Sequence, residues 1–304
     1  MQWSEVAAAY LTPTGDEGPA PVVPGSDARR LRDAVEPIAT IGWWAQAAGD
    51  EFASAGLDFF GGYVWGRAAS LGAQAETSTV VSAFGVFDAG LVGAVLDAAK
   101  PVASHEAILA SRERGAAAGL AAATPSIDSE HIASTAARLR AAMGDVDGTA
   151  RPLFSGLRAL AVPEDPHAAL WRAAEMFREH RGDGHLAACV AAGLDQVEMN
   201  VLTELWLDYP AGEYSGTRGF PHERVAAAVA SLAASGWVDE QGALTADGRE
   251  AREQIEHATD VSQQQVMAAL GDDAESLIND LSTVGDAVIA AHAAPADPRK
   301  RAAG

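Results

Sequence analysis

Cysteine is almost missing from this chain: Cys189 is the only one in 304 residues. One thiol excludes an internal disulfide framework and a cysteine-based zinc site. Cys189 lies in the apolar run 186–192 and reads as a small buried hydrophobe rather than a nucleophile. No apolar stretch is long enough to span a bilayer, and the N-terminus lacks the basic-then-apolar order of a secretory signal. Those absences predict a cytoplasmic protein. Aromatic residues make up only 6%, and β-branched residues are sparse, which disfavours an extended sheet. Cations are also short: 21 Lys and Arg stand against 42 Asp and Glu, a formal charge of −21. Such a surface repels phosphate backbones and anionic membranes, so neither DNA nor a membrane is expected as a partner. Simple solubility accounts for the same charge.

What the chain does have is alanine and a 48% apolar share, enough for a full core and biased towards helices. Its length fits one large or two ordinary domains. Residues 1–25 read as an arm and linker. The segment 1–11 suits a short helix carrying Trp3, Val6, Tyr10 and Leu11, and 12–25 is rich in Pro and Gly. Trp3 and Tyr10 are placed to dock on the body or on a second subunit.

The body divides into a helical half, 26–125, and a second half, 126–290, with a disordered tail over 291–304. Leu31, Val35, Ile38, Gly42 and Ala45 recur at helical spacing. A helix over 57–71 puts Tyr63 and Arg67 on one face, and Gly61, Gly62 and Gly66 allow a close neighbour. Residues 79–87 suit a strand or a buried helix. Asp88, Ser104, Asp165, Asp195 and Thr245 read as N-caps of the helices that follow them. Pro166 opens a helix expected to end near Arg181, with Asp183 capping a separate helix over 184–192. Helix 221–235, two short strands around Gln241-Gly242 and a helix from Thr245 have the order of a winged helix. Phe87 precedes Val92 as Phe220 precedes Val225, a spacing that suggests duplication. The expected fold is therefore mainly α: tandem winged-helix-like halves with short β-hairpin wings and a central cleft.

The run Arg178-Glu179-His180-Arg181-Gly182-Asp183-Gly184-His185 lies between apolar helical patterns, where charge is costly unless paired or used. His180 and His185 are candidates for acid or base, Asp183 for orienting them, and Arg181 or Arg67 for holding an anionic oxygen. Tyr63, Trp65, Phe84, Phe87, Leu157, Trp171 and Phe177 would wall an apolar body, the usual make-up of a small-molecule pocket. A structural reading stands beside this one, in which Asp183 caps, Arg181 pairs and His185 bonds a carbonyl. Metal or haem ligation by His180 and His185 is a further alternative, although five-residue spacing matches no recognised metal motif. The leading expectation has no metal and no cofactor. No Ser/His/Asp order, phosphate loop or nucleotide fingerprint is present.

Several motifs together resemble an actinobacterial family of helix-turn-helix, distantly MarR-like proteins. They are Gly62-Tyr63-Val64-Trp65-Gly66-Arg67-Ala68-Ala69, Arg151-Pro152-Leu153-Phe154, Leu170-Trp171, the 178–185 run, Thr217-Arg218-Gly219 and Thr259-Asp260. The resemblance covers about residues 27–290 and implies a winged-helix fold. Against the family pattern, this chain has Phe84-Gly85-Val86-Phe87 for Phe-Tyr-Asn-Phe and Leu157 for an Asn. Arg172 and Glu175 stand for a His and a Thr. Those exchanges point to a bulky apolar ligand. The leading reading is thus a small-molecule-binding protein or cofactor-independent enzyme of specialised (natural-product) metabolism, catalysing cyclisation, isomerisation or elimination. A ligand-responsive winged-helix transcriptional regulator is the alternative. A homodimer through 261–291 is expected.

Overall fold

The computed structural model describes residues 2–302 apart from 14, 16 and 21–24, with Val6 described by its backbone alone. The part of the expected linker at those positions, and residues 303 and 304 of the expected tail, lie outside the described residues. Helices dominate, and among the described residues no strand forms. None of those helices is long and apolar enough to cross a membrane.

The arm is α1 (Trp3–Tyr10), and it docks: Trp3 Nε1 donates to Trp43 O at 3.3 Å, and Tyr10 packs 5.6 Å from the Trp44 ring. The first half of the body runs α2 (Asp27–Trp44), α3 (Gln46–Ser54), α4 (Phe59–Ala68), α5 (Thr77–Phe84), α6 (Ala89–Ala99) and α7 (His105–Ala123). Then come α8 (Ser129–Gly144), α9 (Pro152–Ala159), α10 (Pro166–Ala191), α11 (Gln196–Trp206), α12 (Glu213–Gly216) and α13 (His222–Ala234). The chain closes with α14 (Ala246–Val261), α15 (Gln264–Leu270), α16 (Ala274–Ala290) and α17 (Pro298–Ala302).

The caps are where short polar side chains precede apolar runs. Asp88, Ser104, Asp165, Asp195 and Thr245 each accept backbone N–H groups that open α6, α7, α10, α11 and α14. The segment 79–87 resolves to a helix, α5, stopped by Gly85 in the left-handed region at φ +69°. The glycines of α4 admit neighbours. A Cβ on Gly62 would overlap the Phe52 ring, and one on Gly66 would overlap Arg112.

At the centre lies α10, 26 residues long, packed on α2, α7, α8, α9 and α14. It does not break at Arg181. Asp183 instead reaches across to accept the Phe154 N–H at 3.2 Å, so it caps α9 rather than a helix of its own. Leu31, Ile38, Leu120, Leu139, Trp171 and Phe177 make the central core, which joins residues from both sides of position 125. Burying each such side chain contributes about 1.5–3 kcal/mol. Trp65 and Leu96 belong to a second core in the first half, and Leu202, Phe220 and Val225 to a third around α11 and α13.

Three expectations are corrected here. The hairpin wing reduces to one antiparallel bridge, Val238 to Leu244. Asp239 Oδ1 accepts the amides of Gln241 and Ala243, donors that a longer ladder would use. The stripe expected as a dimer element is buried within the chain, because Leu277, Leu281, Val284 and Val288 of α16 enter the central core, α16 lying against α2. The segment after 291 carries α17, and Tyr209 Oη donates to Asp297 Oδ2 at 2.9 Å beside it.

Candidate functional site

One face of α10 opens on a hollow of about 110 Å³. Arg178, Arg181, Gly182 and His185 recur at three and four residues and line it, with Asp183 and Leu186. Facing them are Arg32 and Glu36 of α2, Tyr63 and Arg67 of α4, and Phe84 and Phe87 around the α5–α6 turn. Met199, Asn200 and Thr203 of α11 and Tyr214 of α12 form another wall, with Arg218 in the turn after it. Arg252 and Glu256 of α14 close the remaining side.

Eight of the residues singled out from sequence therefore converge: Tyr63, Arg67, Phe84, Phe87, Phe177, Arg181, Asp183 and His185. Four do not. Trp65 turns its Nε1 to Ala103 O at 2.9 Å, and Trp171 turns its own to Ala39 O at 3.2 Å, both in cores. Leu157 is buried in the central core. His180 sits on another side of α10, its ring edge-on to Phe154 at 4.9 Å and Nδ1 2.7 Å from Gln263 Oε1.

Paired charges hold the walls. Arg67 donates to Glu179 with two nitrogens, at 2.8 and 2.7 Å, while its guanidinium lies over the Phe84 ring at 4.4 Å. Burial opposes the Glu179 carboxylate, but Arg67 and Arg178 outweigh it and hold its pKa below the usual range. Arg178 also reaches Glu36 at 3.2 Å. Glu256 gathers Arg29, Arg181 and Arg252 at 2.8, 2.7 and 2.5 Å. Despite burial, those guanidiniums keep its pKa well below the ordinary value.

The imidazoles are poorly placed for acid–base work. The Thr259 hydroxyl donates to Ile255 O at 2.7 Å, so His185 Nδ1, 3.0 Å away, donates to Thr259. Nε2 then accepts from the Cys189 thiol at 3.6 Å, a thiol that burial keeps protonated by pushing its pKa up to about 11. Burial first, then Arg252, lowers His185 to about 3, and burial lowers His180 to about 4. Both rings are neutral with their ring N–H groups already donated. Nor do they converge on a metal, and among the described residues no group of three His, Cys, Asp or Glu is placed to hold one.

Asp183 differs. Burial, and secondarily Glu179, raises it to about 7, against Arg67, Arg151 and the Phe154 amide, which lower it. Its folded pKa exceeds its unfolded value, so its contribution is full below pH 4 and is lost as pH rises through 7. The loss across that window is roughly 4 kcal/mol, at about 1.36 kcal/mol per pH unit. Asp183→Asn keeps an acceptor for Phe154 and carries no charge. Urea midpoints of the two proteins should therefore separate in favour of Asp183→Asn between pH 5 and 8, and parallel midpoints would contradict this electrostatic environment.

The expected bulky, largely apolar occupant does not suit this lining. Six guanidiniums face the hollow, from Arg32, Arg67, Arg178, Arg181, Arg218 and Arg252, against three acids, Glu36, Asp183 and Glu256. Sequence reasoning missed Arg32, Glu36, Arg252, Glu256, Tyr214 and Arg218. Only Arg218 carried a signal, inside Thr217-Arg218-Gly219.

The hollow adjoins α11, α12 and α13, three consecutive helices with a tight turn at Gly212 (φ +97°). Arg218 O accepts the Asp88 N–H at 2.9 Å, joining the turn before α13 to the start of α6. Residues 28–295 match the model of a helix-turn-helix family. No curated protein and no solved structure matches the chain. The match overturns the expectation that DNA is not a partner, which rested on the total charge and on the few cations and several acids of the segment 221–247. By its sequence over almost the whole body, the chain belongs to a helix-turn-helix family.

Proposed function

We propose that this protein is a ligand-responsive helix-turn-helix regulator of transcription, with α13 presented to DNA and the hollow receiving the effector. One observation carries the reading: α11 and α12, which support α13, supply a wall of the hollow through Asn200, Thr203 and Tyr214. An occupant that shifts those side chains moves the platform of α13, a differential contact of the kind that couples two sites.

The surface offered to DNA is small and carries few cations, with Glu223, Asp247 and Glu250 exposed beside Arg224 and Arg249. His222, Arg224, Ala226, Ala227 and Ala230 are exposed on α13, Arg249 is exposed on α14, and Asp239 and Glu240 flank the turn between them. Few phosphate contacts imply modest affinity and a shallow salt dependence. Selection from random duplex DNA at low salt, followed by gel shift, tests the reading. Sequence-dependent retention is expected. Arg224→Ala should weaken it and reduce the salt slope by about 1, the signature of one lost phosphate contact. Retention of no sequence at low salt would remove the proposal.

A further inference from the structure

We infer that the hollow takes a small, flat organic anion, a carboxylate on a body about one ring in size. This inference rests on the hollow being the effector site.

Size comes first. A volume of about 110 Å³ suits one compact molecule. An apolar cavity of about 150 Å³ admits benzene, so one ring is the upper limit for the part of the occupant held inside. Charge comes second. In a chain of formal charge −21, six guanidiniums and three carboxyl groups line this one space. Five of these guanidiniums are already paired, Arg32 with Asp33, Arg67 with Glu179, Arg178 with Glu36, and Arg181 and Arg252 with Glu256, and Arg218 is left as the cation with no carboxylate against it among the described residues.

Hydrogen bonding then gives the polarity of the missing partner. Arg181, Arg218 and Arg252 all line the hollow, and the Nε of each is buried without a hydrogen-bond partner. Buried donors left unpaired are uncommon and costly. Arg181 and Arg252 already donate to Glu256 through other nitrogens, so Arg218 is the guanidinium that calls for an occupant that accepts, and an anion accepts most strongly.

The rings supply flatness. Arg218 lies over Phe87 at 4.5 Å and over Tyr214 at 4.5 Å, and Arg67 lies over Phe84 at 4.4 Å. A guanidinium stacked on a ring presents its N–H groups at its rim, where a planar carboxylate matches two of them side by side. Tyr63 and Phe177 provide further ring surface for the body of the ligand. A tetrahedral phosphate would meet the donors but would leave the aromatic walls without an apolar partner.

Isothermal titration of the full chain with benzoate, benzamide, benzylammonium and inorganic phosphate tests this. Benzoate should bind in the millimolar range or tighter, and the other three about tenfold or more weakly, a difference of about 1.4 kcal/mol. Arg218→Gln should weaken benzoate by at least a similar factor. That variant leaves the Glu256 cluster intact, and the melting temperature without ligand reports whether it folds. Benzamide or benzylammonium binding as well as benzoate, phosphate binding better, or no heat from benzoate would overturn the inference. Benzoate binding that leaves DNA retention unchanged supports the ligand class and removes only the regulatory reading. DNA retention with no benzoate binding does the reverse.

Discussion

Glu256→Gln is expected to lower the stability of the folded chain by about 3–5 kcal/mol, the range for removing one partner of a buried ion pair. Its carboxylate is 2% exposed and accepts from Arg29, Arg181 and Arg252, with His185 Nδ1 3.8 Å away. The amide keeps the shape but turns an NH₂ group towards guanidiniums that also only donate. Arg252 then loses its counter-charge outright, while Arg29 and Arg181 fall back on Asp33 and Asp260. In a chain of this length the melting temperature should fall by roughly 10 °C, at about 2–4 °C per kcal/mol. Calorimetry or urea unfolding measures it. A loss below about 1 kcal/mol, as at an exposed pair, would mean that water reaches this cluster freely.

The second large effect concerns the turn that precedes α13. Glu204 is fully buried, and its carboxylate accepts Gly212 N at 2.7 Å, Tyr214 N and Ser215 N at 2.9 Å each, and Ser215 Oγ at 3.0 Å. One side chain therefore fixes the start of α12. Glu204→Ala strands three backbone donors and a hydroxyl, at about 1–3 kcal/mol for each group left unsatisfied. Water entering the space offsets part of that, and a net loss of about 3–5 kcal/mol is expected. The damage is local to α11–α13. Amide exchange over 209–221 should accelerate while α8 and α16 stay protected, and DNA retention should disappear before the core melts. Uniform acceleration across the chain would instead make Glu204 a global support.

Much of this fold was legible in the sequence because caps are local. Asp88, Ser104, Asp165, Asp195 and Thr245 each act on the residues directly after them. Asp183 has the same local signature and misled, since its carboxylate caps α9, a helix brought to it by tertiary packing. The wing misled for a related reason. Its turn is where Gln241-Gly242 predicts, but Asp239 draws the turn amides to itself. The site was half legible. Arg67, Arg181, Asp183 and His185 declare themselves as charge among apolar neighbours. Arg178 reaches Glu36, 142 positions away, and Arg218 lies between rings from two halves of the chain. Pairings over such distances leave no periodic trace. His180 looked identical to His185 in composition, and only the rotation of a helix separates the two.

The unbroken course of α10 has a consequence for descent. At 1.5 Å per residue it is a rod of about 39 Å, and each residue added would turn everything beyond it by about 100°. Its 26 residues carry core contacts early, the Arg178–His185 wall in the middle and Cys189 near the end. A single insertion would swing the guanidiniums off the hollow and bring other side chains round to it. Lineages of this protein can therefore lengthen or shorten between helices, as around 145–151 or 208–212, but within α10 they can change letters and not their number.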